Sequence, residues 1–314
     1  MSIRGALYLS LAACIWGGMY VVSKYALDFV PPLTLLFLRF VIAAVVLGWL
    51  NWRQKSPLLP AQDRGLLFQI GAIGYFLSIS AQFVGTKLSS AHMGAVITTL
   101  SPLFLSLFAI LLLKEAMSFK QKLAMGLACV GVLIVMGLPD ESHAGQTQWL
   151  GNLALLLAAV FWGYYSVLAR KASRRHTSLQ ITTWGIWVAT ALTLPFTLLE
   201  RQQWSPEVML TWPIILSVLY LGVVSTAVAA FCWNKGLSLM SAHQVGLFFF
   251  LQPVVGSLLG WLLLGEALTL LFFFGSALII AGVYLVLVAE TPAAAEDKPA
   301  VQSSTPCLST KARN

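Results

Sequence analysis

Polar side chains recur at helical spacing inside two long apolar stretches of the sequence. Tyr75, Ser78 and Gln82 lie three and four positions apart, so they share one face of a helix. Thr226 and Trp233 occupy corresponding positions in the second half of the chain. Polar groups on such a face can hydrogen-bond a solute, which predicts a cavity between helices. The alternative is sequence drift on surfaces that face lipid.

Two proline steps and several aromatic residues extend this predicted cavity. Pro102 and Pro253 each remove an intrahelical hydrogen bond, which is tolerated where a helix faces a cavity or other protein. Aromatic walls suit a solute with an apolar body and a polar head, although they also fit helix packing or an interfacial belt. The predicted lining comprises Trp16, Tyr20, Tyr75, Ser78, Gln82, Thr98, Ser101, Trp162, Tyr165, Thr226, Trp233, Asn234 and Gln252.

Arg39 is the formally charged residue that lies well inside an apolar stretch. A cation in the centre of a membrane helix costs roughly 2.5 to 3.5 kcal/mol on insertion scales. We predict a structural role, in which Arg39 snorkels outward or pairs with a carboxylate such as Asp28 or Glu266. The functional alternative is that Arg39 binds the carboxylate of a substrate.

Two acidic residues and two histidines occur in equivalent pairs. Glu115 and Glu266 end two apolar stretches, and we predict that each ties its helix end to the start of the following helix. A gate or a proton site is the alternative. His92 and His243 have no second ligand at metal-binding spacing, so neither a metal site nor any other cofactor is predicted. Pro102 and Pro253 join the two glutamates and Arg39 as predicted structural or gating residues.

The composition indicates the class of protein in which these residues lie. The chain has 314 residues, of which 59% are hydrophobic and 10% are charged, and its mean hydropathy is +0.84. Soluble domains carry about 25% charged residues, so an ordinary soluble enzyme and a disordered protein are excluded. An enzyme within the membrane is not indicated either, because no H-E-x-x-H sequence or nucleophile elbow is present. A phosphate-binding loop for ATP is also missing.

Ten stretches are long enough to cross a membrane as helices, since a crossing needs about 20 mainly apolar residues. Short clusters of proline, glycine and charge separate them. The fold class is therefore an all-α polytopic membrane protein with ten transmembrane helices. The stretches are 5–23, 33–52, 65–86, 88–113, 123–139, 142–169, 177–199, 208–234, 236–265 and 267–289.

The basic residues indicate the orientation. If the N-terminus is cytoplasmic, the inner loops and the tail hold fifteen Lys and Arg residues, and the outer loops hold three. This positive-inside bias predicts a plasma (inner) membrane protein with both termini in the cytoplasm. The net charge of +8 is then a topology signal and not a nucleic-acid surface.

The two halves of the chain resemble each other. Each holds five predicted helices, and five is odd, so the second half enters the membrane from the opposite side. We predict a first repeat over residues 1–138, an inverted second repeat over residues 139–289 and a disordered cytoplasmic tail over residues 290–314. The matching pairs include Trp16 and Trp162, Gly17 and Gly163, Gly71 and Gly222, Gly85 and Gly236, Pro102 and Pro253, and Glu115 and Glu266.

These matched motifs resemble those of the EamA family of the drug/metabolite transporter superfamily. The resemblance covers residues 5–289 and implies ten helices in two inverted five-helix repeats around a central cavity. It also implies export of amino acids or other small metabolites. The motifs are Trp16-Gly17, Trp162-Gly163, Leu38-Arg39-Phe40, the steps at Pro102 and Pro253, Leu113-Lys114-Glu115 and Leu264-Gly265-Glu266.

The function that we expect is secondary transport of small metabolites, foremost amino acids, out of the cell by alternating access. Efflux of drug-like or nucleotide-linked compounds is the alternative within transport, and a membrane sensor or adaptor is the alternative outside it. The expected partners are a small-molecule substrate and the lipid bilayer. Gly256 and Gly260 fit close packing within a monomer or a weak homodimer.

Overall fold

The computed structural model describes residues 2–55, 61–89, 94, 97–136, 148–264 and 270–288, and every regular element in these ranges is helical. We number the main helices α1 to α11. Their bounds are α1 Ile3–Leu27, α2 Pro32–Arg53, α3 Arg64–Leu88, α4 Ser101–Leu113, α5 Phe119–Met136, α6 Gln148–Ala172, α7 Ser178–Leu199, α8 Trp212–Leu239, α9 Ala242–Phe248, α10 Leu251–Leu264 and α11 Leu270–Val288.

Six of the helices in the described ranges are long and apolar enough to cross a membrane, namely α1, α2, α3, α6, α7 and α8. The segments Ser101–Leu113 and Leu270–Leu285 are apolar but shorter. The stretch 236–265, which the apolar pattern predicts as one helix, contains the end of α8, the short helix α9 and helix α10. Pro253 is the third residue of α10 and Pro102 the second residue of α4, so both prolines lie in the first turn of a helix, where no backbone donor is lost.

Helices α3 and α8 each contain a π-helical segment, at Ile70–Leu77 and at Tyr220–Val228. The two segments correspond under the offset that relates the two halves of the sequence. A π-helical turn widens the helix and changes the direction of the side chains that follow it, and such turns are frequent at functional sites. Both segments lie at the centre of the helix packing described next.

Helices of each half of the chain pack against helices of the other half. Helix α2 packs against the π-helical segment of α8, and α7 packs against that of α3. Similarly, α1 packs on α8 and α10, whereas α6 packs on α3 and α4. Close backbone approach supports this packing, because a Cβ on Gly17 would lie 2.9 Å from the Gln252 oxygen and a Cβ on Gly163 would lie 2.7 Å from the Leu105 nitrogen. The paired Trp-Gly motifs therefore allow the first helix of each half to approach the other half closely.

Polar contacts at the two ends of the bundle show which loops lie together. At one end, Asp63 contacts Arg175 at 3.2 Å and His176 at 3.1 Å. At the other end, a carboxylate oxygen of Glu200 accepts hydrogen bonds from the backbone nitrogen and the hydroxyl of Thr34 at 2.7 and 2.8 Å. The chain before α3 and the chain after α6 are thus on the same end of the molecule.

Candidate functional site

A cavity of about 40 Å³ lies at the meeting point of α1, α2, α3, α4, α6, α8 and α10. Most of the predicted lining residues are brought together there. Those that line the cavity are Trp16, Tyr20, Tyr75, Ser78, Gln82, Thr98, Ser101, Trp162, Thr226 and Gln252. The described lining also contains Met19, Arg39, Ile79, Ala158, Ser225, Ala230 and Phe249, which the predicted lining does not include.

Arg39 supplies the cation of the described lining and is 2% exposed. Its Nε donates to Thr226 Oγ1 at 2.8 Å, its guanidinium carbon lies 5.3 Å from the centre of the Phe83 ring, and Nη1 is 3.6 Å from the Met19 sulfur. The prediction that Arg39 snorkels outward is wrong, because α8 packs over this face of α2. Asp28 is not its partner either, and Glu266 lies outside the described residues.

Arg39 therefore faces the cavity without a carboxylate partner among the described side chains. A buried guanidinium that contacts only neutral groups retains much of its desolvation penalty, which an anion in the cavity would offset. A guanidinium has five N–H donors, and those of Arg39 are not all used by Thr226 Oγ1, by Ser225 Oγ at 3.5 Å and by the Met19 sulfur. The geometry gives Arg39 the capacity to bind an anionic group.

Two further donors of the lining have no partner in the described structure. Trp162 Nε1 and Gln252 Nε2 are both buried and make no hydrogen bond. By contrast, Trp16 Nε1 donates to the Ser225 backbone oxygen at 2.9 Å and Ser78 Oγ donates to the Ala158 oxygen at 2.8 Å. Buried donors without partners are unfavourable by about 1–3 kcal/mol each, so the cavity favours a solute that carries acceptor oxygens.

A polar cluster from the first half of the chain forms one wall. The hydroxyls of Tyr20 and Thr98 are 2.9 Å apart, and Gln82 Nε2 donates to Tyr20 at 3.0 Å. Ser101 donates to the Thr98 backbone oxygen at 2.6 Å. The helical spacing of Ser78 and Gln82 on α3 thus does bring two polar side chains to one wall.

Aromatic rings form the opposite wall. Trp16 lies edge-on to Trp162 with 5.3 Å between ring centres, and Phe249 is 5.9 Å from Trp16 and 6.1 Å from Trp162. Trp233 lies behind them, 5.4 Å from Trp16 and 5.5 Å from Phe249, and is 1% exposed. The prediction that Trp233 lines the cavity is therefore wrong for the described structure, because the three other rings cover it.

Tyr165 and Asn234 also lie behind the lining instead of within it. The hydroxyls of Tyr75 and Tyr165 are 2.8 Å apart, and Tyr165 donates to Asn234 Oδ1 at 3.0 Å. Asn234 Nδ2 donates to the hydroxyls of Tyr75 and Thr182 at 3.0 and 2.9 Å. This tyrosine network, which we define as Tyr75, Tyr165, Thr182 and Asn234, joins α3, α6, α7 and α8. The prediction that Tyr165 and Asn234 line the cavity is wrong because these bonds turn both side chains toward each other.

Glu115 caps a helix, but not the one predicted. Its Oε2 accepts from the backbone nitrogen of Ala242 at 3.0 Å, at the start of α9, and its Oε1 pairs with Arg170 Nε at 2.7 Å. Arg170 also donates to the backbone oxygens of Leu237 and Met240. The chain turns sharply after α4 because Lys114 is left-handed with φ of 54°, which directs Glu115 toward the other half. Glu266, the repeat counterpart of Glu115, and His92, the repeat counterpart of His243, lie outside the described residues.

The lining residues that sequence reasoning missed carried little signal. Phe249, Met19 and Ile79 are apolar residues in apolar stretches, and their type does not separate cavity from core. Ser225 was detectable as the polar neighbour of Thr226. Both residues lie in the π-helical segment of α8 and line the cavity.

Comparison with known proteins gives a family match and several similar proteins. The profile of the EamA-like transporter family matches residues 3–137 and again residues 149–288. A probable amino-acid metabolite efflux pump of Salmonella typhimurium is 28% identical over 293 residues, covering 91% of this chain and 95% of that protein. The uncharacterized transporter YetK of Bacillus subtilis is 27% identical over 90% of this chain and 86% of its own.

Two further comparisons extend these findings. The S-adenosylmethionine/S-adenosylhomocysteine transporter of Chlamydia muridarum is 27% identical, covering 88% of this chain and 89% of that protein. A solved crystal structure has the same fold, with a TM-score of 0.76 at 21% identity over 90% of this chain and 98% of the other. Because the family profile matches both halves, this chain is a multi-pass membrane transporter, not an enzyme, and belongs to the EamA-like transporter family.

Proposed function

We propose that the protein exports small metabolites that carry a carboxylate, foremost amino acids, across the bacterial cytoplasmic membrane. Arg39 is the observation that carries this proposal, because it is buried in the cavity and faces no carboxylate of the described protein. The partnerless donors Trp162 Nε1 and Gln252 Nε2 add sites for carboxylate or carbonyl oxygens. The names of two relatives, an amino-acid metabolite efflux pump and a transporter of an amino-acid derivative, agree with this class.

The mechanism that we propose is alternating access by two inverted repeats of five crossings each. The repeats are residues 1–138 and 139–289, followed by a cytoplasmic tail over residues 290–314. Support comes from the two matches of the family profile, from the equivalent π-helical segments and from the packing of helices of each half against the other half. Repeats related in this way can exchange conformations, which opens the same central site to opposite sides of the membrane.

We assign both termini to the cytoplasm. The positive-inside bias supports this orientation. The contact of Asp63 with Arg175 and His176 is consistent with it, since both basic loops lie at the same end of the bundle. A cysteine introduced at Arg174, in a chain whose four native cysteines are replaced by serine, and labelled in intact cells tests the assignment: membrane-impermeant maleimide should react only after the cells are opened.

The cavity must enlarge to admit a substrate. Its volume of about 40 Å³ is well below the roughly 300–1,000 Å³ of typical ligand sites. Bonds between the halves that close it are those of Trp16 to Ser225 and of Tyr75 to Tyr165 and Asn234. Rocking of the halves would separate these contacts, and the substrate's own polar groups would replace them.

The alternatives differ in the chemistry that they require. A nucleotide-linked substrate carries several negative charges, whereas the described lining holds one cation, Arg39. A drug-like apolar substrate would not need that cation at all. A sensor or adaptor without transport activity would give no flux in liposomes.

Counterflow in proteoliposomes tests the substrate class. Liposomes are loaded with phenylalanine, with phenylalaninamide or with phenethylamine, and uptake of labelled phenylalanine is followed. Loading with phenylalanine should drive exchange, while the amide and the amine, which lack the carboxylate, should not. The panel is repeated with other amino acids and with the variants Arg39→Gln, Gln82→Ala and Trp162→Ala. Equal exchange by phenylalanine and phenethylamine, or an Arg39→Gln variant with unchanged KM, would overturn the proposal.

A further inference from the structure

A second and larger concave site lies away from the central cavity. It has a volume of about 680 Å³ and is formed by the beginning of α3, the end of α4 and the end of α6 together with the turn that follows. We call it the inner groove. Its lining consists of Gln62, Asp63, Gly65, Leu66, Gln69, Leu112, Leu113, Tyr164, Val167, Leu168, Lys171, Ala172, Arg174, Arg175 and His176.

The inner groove is divided into an apolar part and a cationic mouth. Leu112, Leu113 and Leu168 form its apolar part, and Leu112, which is 52% exposed, leaves this part open toward the side of the bundle. Lys171 and Arg174 lie at the end of α6 and just beyond it, and both are exposed. A surface of this kind, with apolar walls below and cations above, matches the layering of a lipid bilayer at its headgroup level.

The cations at the mouth outnumber the carboxylates among the described lining residues. The described lining holds Lys171, Arg174, Arg175 and one carboxylate, Asp63. Asp63 is already engaged, because it contacts Arg175 at 3.2 Å and His176 at 3.1 Å. Lys171 and Arg174 form no ion pair with any described residue. Among the described residues, the inner groove therefore has two cations without an ion-pair partner that could contact an anion.

We propose that the inner groove binds one anionic phospholipid. Its phosphate would lie between Lys171 and Arg174, and one acyl chain would lie along Leu112 and Leu168 in the open side of the groove. A zwitterionic lipid would bring its own cation to the same mouth, so the groove should prefer phosphatidylglycerol to phosphatidylcholine. The groove volume of about 680 Å³ accommodates a headgroup, unlike the closed central cavity.

Such a lipid would lie beside the contact between the two halves. Arg170 precedes Lys171, and it joins α6 to Glu115 at the end of α4 and to the backbone of Leu237. A phospholipid between α4 and α6 would thus contact the same helix ends that this ion pair joins. The site is separate from the central cavity, so the proposal does not depend on which metabolite the protein carries.

The test is native mass spectrometry of the purified full-length protein in a neutral detergent. Phosphatidylglycerol or phosphatidylcholine with identical acyl chains is titrated, and the lipid-bound fraction is measured. The variant is Lys171→Gln with Arg174→Gln, both at exposed positions. The matched control is Arg4→Gln with Lys235→Gln, which removes two charges at the same end. A Cβ on Gly5 would lie 2.8 Å from Met240 Cγ, and Arg170 donates to the Met240 backbone oxygen.

Phosphatidylglycerol should bind the native protein more tightly than phosphatidylcholine, and the groove variant should weaken its binding about tenfold. The control variant should bind it like the native protein. Equal binding of the two lipids, or an equal loss in the control variant, would overturn the proposal in favour of general electrostatic attraction. A fourth arm adds inorganic phosphate: full displacement of the lipid by millimolar phosphate would identify a site for a free anion and also overturn it.

Discussion

Arg39 and Gly185 occupy equivalent places in the two halves of the protein. The Arg39 backbone oxygen is 3.1 Å from where a Cβ on Gly222 would lie, and the Gly185 oxygen is 2.7 Å from where a Cβ on Gly71 would lie. The Tyr75 ring fills the space beside Gly185, with its Cε2 2.7 Å from the position of a Cβ there. One side of the molecule's centre thus carries a cation, and the equivalent side carries a tyrosine.

This difference gives a symmetric scaffold an asymmetric cavity. Arg39 bonds to Thr226, and the residue equivalent to Thr226 is Tyr75, which bonds to Tyr165 and Asn234 instead. An amino acid or similar metabolite also has two unlike ends. The charged side suits its anionic group, while the aromatic side suits its apolar body.

Substitution of Thr226 should weaken substrate binding through Arg39. Thr226→Val removes the acceptor that holds Arg39 Nε at 2.8 Å, and a hydrogen bond to a charged group is worth about 1.5–3 kcal/mol, or roughly tenfold or more in affinity. We expect a KM at least about tenfold higher in proteoliposome transport. Thr226→Ser keeps the hydroxyl and should retain a KM close to that of the native protein. Equal KM values for the valine and serine variants would contradict this prediction.

The tyrosine network should contribute to the stability of the closed state. Asn234→Leu removes the amide that bonds to Tyr75, Tyr165 and Thr182. The remaining hydroxyls lose about 1 kcal/mol for each bond, so the melting temperature in detergent should fall by several degrees. Ser238→Ala is the control, because among the described residues Ser238 bonds within its own helix, to the Lys235 oxygen at 2.7 Å. An unchanged melting temperature for Asn234→Leu would show that the network does not stabilise this state.

The ion pair between Glu115 and Arg170 should couple the two halves energetically. Both side chains are mostly buried, with exposures of 19% and 23%, and residues in one such network show interaction energies of about 0.5–3 kcal/mol. A double-mutant cycle with Glu115→Gln and Arg170→Met, measured by unfolding in detergent, should give a clear coupling. The pair of Asp63 and Arg175 is the comparison, because Arg175 is 69% exposed and such pairs contribute about 0–1 kcal/mol. A larger coupling for the exposed pair would contradict this expectation.

Close approach at Gly163 should make that position intolerant of a side chain. A Cβ there would lie 2.7 Å from the Leu105 backbone nitrogen, so Gly163→Ala should force α4 and α6 apart and lower the melting temperature. Gly126 in α5 has nothing within 4 Å of a Cβ. Gly126→Ala should therefore be neutral or stabilising, because alanine favours a helix by about 0.5–1 kcal/mol relative to glycine. Similar losses in both variants would mean that the packing at Gly163 is looser than described.

Much of the architecture follows from residue order alone. A chain in lipid must satisfy its backbone polar groups within each helix, so long apolar stretches separated by short polar clusters are sufficient to predict helices. Matched glycine, proline and tryptophan residues likewise predict the duplication, and the helical spacing of Ser78 and Gln82 predicts a shared polar face. Each of these features depends on residue types and their spacing along the chain, which the sequence contains.

The partners of individual side chains depended on how the helices pack. Periodicity tells which face of a helix is polar but not which helix lies opposite it, so the contacts of Arg39 with Thr226 and of Glu115 with Ala242 were not predictable. The π-helical segments also change the side-chain direction along α3 and α8. Trp233 lies behind the cavity, under the rings of Trp16, Trp162 and Phe249, although its spacing predicts a place in the wall. Phe249 lines the cavity although its sequence surroundings are uniformly apolar.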